Sequence, residues 1–259
     1  MNLYFACQPA HRDYLATEQV PNILISYVHG YKGIRKVVDD INPKNLIIDS
    51  GAFSAWTVGE YIDIDNYAKV CLELMKTYPG KEMHFVNLDM IPGSPGRKPT
   101  ATEIEYSAQK SWDNMLYLED KGIPVMNVYH QHEELKWLER LMEHQEYFGV
   151  SPANDLTPKK RMVWLDQAFS IIRDTRKTHG FGATARSLLE RYPWFSADST
   201  SWMAPVRYGK SATGNFKSRG LDQLPNLFMK AELPKEIKRW IKVEKEVSEL
   251  WEQRGVKWL

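Results

Sequence analysis

Cysteine is almost missing from this chain: Cys7 and Cys71 are the only two. Two cysteines exclude a cysteine-rich zinc site and do not suggest a disulfide framework, so a reducing, intracellular setting is the expectation. An excess of one charge is missing too. Lys and Arg total 34 against 33 Asp and Glu, a net charge of +1. No global basic field advertises nucleic acid, and any such site has to be a local patch. No apolar run approaches the roughly 20 residues of a membrane span, so no membrane partner is expected. The apolar stretch Met1–Cys7 carries no basic flank and runs into Gln8-Pro9, which does not read as a signal peptide. Internal repeats, low-complexity tracts and long linkers are lacking as well. What is present is an ordinary globular composition, 43% hydrophobic and 26% charged. A length of 259 residues is long for one ordinary domain but normal for one α/β barrel. One domain over residues 1–259 is therefore expected.

Short apolar runs recur between helical stretches. They are Leu3–Cys7, Ile23–Tyr27, Leu46–Ile48, His84–Leu88, Val125–Tyr129, Tyr147–Val150, His179–Gly182 and Phe195–Ala197. Most are continuous, not alternating, as parallel strands covered on both faces should be. Helix signals fall between them. Thr100 with Glu103 reads as a capping box opening a helix to about Asp120, stopped by Gly122. Thr157-Pro158 reads as the cap and first residue of a helix to about Lys177. Along it, Met162, Leu165, Phe169 and Ile172 share one face and read as core. Asp63 and Asp65 precede another helix, and Leu233-Pro234 opens a long amphipathic one to about Arg254. About eight strand–helix alternations argue a (β/α)8 TIM-type barrel with a C-terminal helix, with a doubly wound open sheet as the rival. After Asp198 the pattern breaks. Residues 199–225 read as loop, with Arg207, Lys210, Lys217 and Arg219 interleaved with Tyr208, Gly209, Gly214 and Phe216.

Barrel active sites form at the C-terminal ends of the strands. Three of the apolar runs lead into an aspartate: Asp49, Asp89 and Asp198. A single strand-end aspartate is commonly just a cap for the next helix. Three on one barrel face, beside Ser50-Gly51-Ala52-Phe53, His130-Gln131-His132 and Gly180-Phe181-Gly182, are better explained by acid–base and nucleophilic chemistry. A carboxylate suits attack at a sugar anomeric carbon, forming a glycosyl ester, while a second carboxylate shuttles the proton of the leaving group. Phe53 could stack on a flat base or simply pack into the core. Gly51 and Ala52 are small enough for a base to approach the backbone.

These residues resemble a known family. Asp49-Ser50-Gly51-Ala52-Phe53-Ser54 resembles the Asp-Ser-Gly-Gly-aromatic-Gln motif of tRNA-guanine transglycosylases. Gly180–Thr184, Leu188-Leu189 and Ser196–Thr200 resemble that family's glycine turn, helix and nucleophilic aspartate. Val128–Gln131 and Tyr147–Val150 resemble its two base-reading strands, and the order agrees over residues 46–202. The small size and the run Asp198-Ser199-Thr200-Ser201-Trp202 look more like the compact phage branch, which places 7-deazaguanines in DNA. The resemblance implies Asp198 as nucleophile at C1′ and Asp49 as general acid/base. It implies stacking by Phe53 and base reading by Asp89, Gln131 and backbone near Gly149, with Ser50, His130 and Gly182 also lining the base pocket. Arg207, Lys210, Lys217 and Arg219 would meet the nucleic-acid backbone. The implied partners are DNA, in preference to tRNA, and a free 7-deazaguanine base that must enter a pocket outside the stack. No cofactor and no metal are implied, and the cytoplasm is the implied place, that of an infected host cell if the protein is phage-encoded. The chain departs from the family at Ala52 and Ser54. It also lacks the Cys/His zinc subdomain that follows the nucleophile in the classical family.

Three other readings stay open. A tRNA substrate would keep the family and change the partner. A metal-dependent barrel hydrolase could use His130 and His132 with the aspartates and His29, although His84 and His179 read as strand starts facing the wrong end. A barrel that only binds nucleic acid is the third, since fold alone proves no function.

Overall fold

The computed structural model describes residues 1–152, 157–208, 210–211, 214–215 and 231–257. Nine strand segments are all paired in parallel: β1 Asn2–Ala6, β2 Asn22–Ser26, β3 Asn45–Asp49, β4 Glu82–Val86, β5 Val125–Met126, β6 Val128–His130, β7 Tyr147–Ser151, β8 Lys177–Gly180 and β9 Ser196–Ser199. Their order is β5-β4-β3-β2-β1-β9-β8-β7-β6. The two ends of that order, β5 and β6, are separated by Asn127 alone. They are two parts of one stave, so the sheet closes on itself as a (β/α)8 TIM-type barrel. At the break, side-chain amides replace part of the ladder. Asn127 N–H donates to Gln145 Oε1 at 3.0 Å, and Asn87 Nδ2 donates to Asn127 Oδ1 at 2.8 Å.

Helices follow the staves: α1 Arg12–Thr17, α2 Gly30–Ile41, α3 Ala52–Val58, α4 Ile64–Thr77, α5 Ala101–Asp120, α6 Leu135–His144, α7 Pro158–Ile172 and α8 Arg186–Arg191. After β9 come a 3-10 turn at Ser201–Met203, α9 Ala204–Tyr208 and a hairpin of β10 Lys210–Ser211 with β11 Gly214–Asn215. The stretch expected as plain loop therefore has short structured pieces. The long C-terminal helix is α10, Leu233–Gln253. Local chemistry sets the helix ends as expected. Thr100 and Glu103 form the reciprocal capping box of α5, and Asp63 and Thr157 cap α4 and α7. Helix α7 ends at Ile172, earlier than expected, because Arg173 takes a left-handed φ of 53°.

Side chains alternate along each strand, so the barrel has two apolar compartments. Leu3, Phe5, Ile23, Ile25, Leu46 and Ile48 face out against the helices in the larger core. Tyr4, Ala6, Leu24, Ile47, Val86, Met126 and Val128 face in and fill the barrel. The α7 stripe of Leu165, Phe169 and Ile172 is buried, and Met162 packs beside it. Helix α10 covers β1 and α8. Its Glu244 accepts the Leu3 N–H at 2.8 Å, Ser248 accepts from the Met1 amino group at 3.0 Å, and Trp251 donates to Leu189 O at 2.9 Å. No helix among the described residues is long and apolar enough to cross a membrane.

Candidate active site at the barrel mouth

Strand parity brings the aspartates together. Inward positions on β3 run Asn45, Ile47, Asp49, and on β9 they run Ser196, Asp198. Asp49 is thus the last inward residue of its strand, beside Ser26 of β2 in the parallel register. Asp198 lies beside Tyr4 of β1. Asp89 follows β4 after Asn87 and Leu88. The three share one electrostatic environment. Burial pushes the Asp49 carboxyl up to about 6, and the charges of Asp198 and Asp89 push the same way, while the Ser26 hydroxyl and Gly51 amide oppose them. A carboxyl poised near neutrality beside two further carboxylates is the arrangement of an acid/base group and its partners.

Asp89 is nearly enclosed and is held from two sides. His130 Nε2 lies 3.1 Å from its Oδ2, and Asn87 Nδ2 donates to its Oδ1 at 3.3 Å. Burial disfavours a charged His130 ring, but the Asp89 carboxylate outweighs it, so the ring titrates at about 9 and is an imidazolium at neutral pH. Behind it, Glu133 accepts the His130 backbone N–H at 3.1 Å. Burial lifts Glu133 to about 7, against the pull of His130. At this strand end the ring that meets Asp89 is thus His130. Gln131 stands next to it, half-buried, with its N–H bonded to Ser151 O at 3.1 Å.

Asp198 is 13% exposed, and its Oδ1 accepts the Gly182 N–H at 3.0 Å. Gly182 has φ +60°, which a side-chain-bearing residue adopts at a cost. That conformation aims its amide at the carboxylate. On the same oxygen, His179 Nε2 lies 3.4 Å away. His179 was expected at a strand start, pointing to the far end. It is instead the third residue of β8, fully buried and facing the site, because the strand begins at Lys177 and not at His179. Period-two parity counted from Lys177 would have found it.

Gly149 has its N–H bonded to Asn127 O at 2.8 Å. A Cβ there would sit 2.4 Å from the ring of Phe181, so the glycine makes room for Phe181 across the upper barrel. Ser50 is buried, whereas Phe53 on α3 is 60% exposed. The Phe53 ring is not core. It lies 5.8 Å from Trp56, tilted by 31°, and the Trp56 indole donates to Gly93 O at 3.1 Å, tying α3 to the loop after Asp89. Arg207 is exposed on α9, and the backbone of Lys210 opens β10. Lys217 and Arg219 lie outside the described residues. His130 and His132 do not converge: the first faces Asp89, and the second, with φ 90°, is exposed. Among the described residues no three His, Cys, Asp or Glu side chains are grouped to hold a metal ion.

No family model matches the chain, and no curated protein matches it. Solved structures share its outline. KGPDC from Streptococcus mutans aligns at 10% identity over 92% of this chain and 97% of that one, with a TM-score of 0.44. Dihydrodipicolinate synthase from Acinetobacter baumannii aligns at 10% identity over 98% of both chains, with a TM-score of 0.47. Type I 3-dehydroquinate dehydratase from Clostridium difficile aligns at 13% identity over 88% of this chain and 92% of that one, with a TM-score of 0.46. Likeness at this level carries nothing about the reaction, so the chemistry has to come from the side chains at the barrel mouth.

Proposed function

We propose that this chain is an enzyme, a nucleobase transglycosylase that exchanges guanine in DNA for a 7-deazaguanine base through a covalent aspartyl-glycosyl intermediate. One observation carries the reading. Asp198 has its Oδ1 held by the Gly182 amide, in the same mouth as Asp49, whose carboxyl is poised at about 6. Asp198 Oδ2 attacks C1′ of the flipped nucleotide. The C1′–N9 bond breaks, its electron pair goes to the departing guanine, and protonated Asp49 supplies the proton. In the second half, Asp49 takes a proton from the incoming base. The nitrogen of that base attacks C1′, and the ester C–O pair returns to Asp198.

Other groups have binding roles in this scheme. Phe53 offers an exposed face for stacking. The Asp89–His130 pair offers one acceptor and one cationic donor to the edge of a base, Gln131 follows His130 in the chain, and Ser50 and backbone near Gly149 are assigned to the same base pocket by the resemblance. Arg207 and its basic neighbours Lys210, Lys217 and Arg219 track phosphates. DNA is preferred to tRNA because the run Asp198-Ser199-Thr200-Ser201-Trp202 looks like the phage branch of the resembled family.

The test is exchange of labelled guanine into duplex DNA and tRNA in parallel, followed by chase with 7-deazaguanine bases. Label entering DNA, and lost again when a 7-deazaguanine is supplied, supports the proposal. Label entering tRNA alone moves the partner. Label entering neither rejects the exchange reaction.

A further inference from the structure

A buried chain of polar contacts runs from the start of β7 to Asp198. Tyr147 Oη lies 2.7 Å from Ser196 Oγ, and His179 Nδ1 lies 2.7 Å from the same hydroxyl. His179 Nε2 then faces Asp198 Oδ1 at 3.4 Å without the alignment of a hydrogen bond. The layers stack by register: His179 is the ladder partner of both Gly149 and Ser196, with Tyr147 one inward position below and Asp198 one above. The His179 ring is wedged between Tyr4 at 5.7 Å and Phe181 at 4.6 Å. It fills the barrel where an apolar side chain would pack without the cost of a buried polar ring.

From this geometry we infer that His179 is a positioning residue for Asp198, locked by Ser196 and Tyr147 into the tautomer that turns an Nε2–H toward Oδ1 and leaves Oδ2 as the reactive oxygen. The direction of the chain follows from counting hydrogens. Burial keeps the Tyr147 phenol well above its ordinary titration range, so it holds its proton and donates to Ser196 Oγ. Ser196, with one hydrogen, then donates to His179 Nδ1. That arrangement puts the ring hydrogen on Nε2, facing the carboxylate, whereas a Ser196 Oγ accepting from both neighbours would turn the Nε2 lone pair onto the carboxylate and leave the serine hydrogen without a partner in the chain. The opposite direction would set the Nε2 lone pair against carboxylate lone pairs and leave the tyrosine hydrogen pointing away from Ser196. A separation of 3.4 Å is long for such a bond, and catalytic hydrogen bonds of this kind tighten when substrate binds.

The consequence is regiochemical. Two N–H groups, from Gly182 and His179, converge on Oδ1. Attack by Oδ2 makes Oδ1 the carbonyl oxygen of the glycosyl ester. When the ester C–O bond breaks, its electron pair returns to the carboxylate, and the same two donors stabilise that leaving group.

The catalytic part rests on the transglycosylase reading, and the tautomer does not, so the test has two arms. In the first, 15N-histidine-labelled full chain is examined by long-range 1H–15N NMR. A hydrogen on His179 Nε2, with signals that move in Asp198→Asn and lose their single-tautomer character in Ser196→Ala, supports the inference. A hydrogen on Nδ1, or signals blind to Asp198→Asn, overturns it whatever the reaction is. In the second arm, guanine exchange is measured for His179→Leu and His179→Gln. A folded His179→Leu variant should lose roughly 10- to 100-fold in kcat with little change in KM for nucleic acid, as expected for one hydrogen bond to a charged group. The glutamine amide should restore part of the loss. A folded His179→Leu variant exchanging at the wild-type rate overturns the positioning role. Absence of exchange in the wild type rejects the reaction instead and leaves the first arm to decide the tautomer.

Discussion

Replacing Asp49 with asparagine should stop the chemistry and, above about pH 6, strengthen the fold. The magnitude follows from the site. The carboxyl is raised from 3.8 to about 6, chiefly by burial and then by Asp198 and Asp89. A folded-state value above the unfolded one means that the fold disfavours the charged form. The wild type is favoured at low pH and gives up that advantage as pH rises through about 6. About two units at ~1.4 kcal/mol each set an upper limit of roughly 3 kcal/mol. Asp49 keeps some contact with solvent, so about 1–2 kcal/mol is the working expectation. For a chain of this size that corresponds to roughly 2–8 °C in melting temperature. The assay is a set of thermal and urea melts of wild type and Asp49→Asn at about pH 4 and about pH 8, which bracket the window between the unfolded and folded values. The variant should gain on the wild type between the two pH values while exchanging no guanine. An offset that does not change with pH would refute the reasoning, because it would mean that the charge on Asp49 costs the fold nothing.

The imidazolium of His130 gives a signature of the same sign in a higher pH window, for a different reason: here the fold favours the charged form. Its folded value of about 9 lies above the ordinary 6.5, so its pairing with Asp89 stabilises fully below about pH 6.5 and fades as pH rises through about 9. His130→Asn should cost about 1–3 kcal/mol at neutral pH and remove that dependence, as read by melts from about pH 6 to about pH 10. Gly149→Ala forces a methyl group against Phe181 and should cost about 1–3 kcal/mol by denaturant titration, with Phe181→Ala in the same chain relieving the clash. Phe53→Ala should leave stability within about 0.5 kcal/mol. It should weaken nucleic-acid binding roughly 10-fold or more if the exposed ring stacks on a base, and unchanged affinity by fluorescence anisotropy would remove that role.

Much of the barrel was legible because its strands are continuous apolar runs and its helix caps are chemically distinct. Thr100 with Glu103, Thr157-Pro158 and Asp63 fall at helix starts for reasons visible in four residues. The aspartates were legible by the same logic, as polar residues where apolar runs end. His179 was not. Lys177-Thr178-His179 has no apolar signal, so in sequence the run starts only at His179, is weakened by its glycines, and puts the ring at the wrong end of a strand that in fact begins at Lys177. The exposure of Phe53 was also open, since an aromatic beside a helix start serves a core or a pocket equally well in sequence. The break at Asn127 depends on Gln145 and Asn87, contacts that no local pattern announces. Lys217 and Arg219, read as contacts to a nucleic-acid backbone, lie outside the described residues.

The covalent Asp198–sugar ester can be sought directly. The 259-residue chain and a guanine-containing DNA duplex, mixed without an incoming base, are denatured and resolved by gel and by intact mass, with Asp198→Ala in parallel. The expected result is a protein–DNA adduct that maps to the peptide containing Asp198, disappears when guanine or a 7-deazaguanine is added, and is absent from the folded Asp198→Ala variant. Guanine exchange that proceeds undiminished in that variant would contradict it.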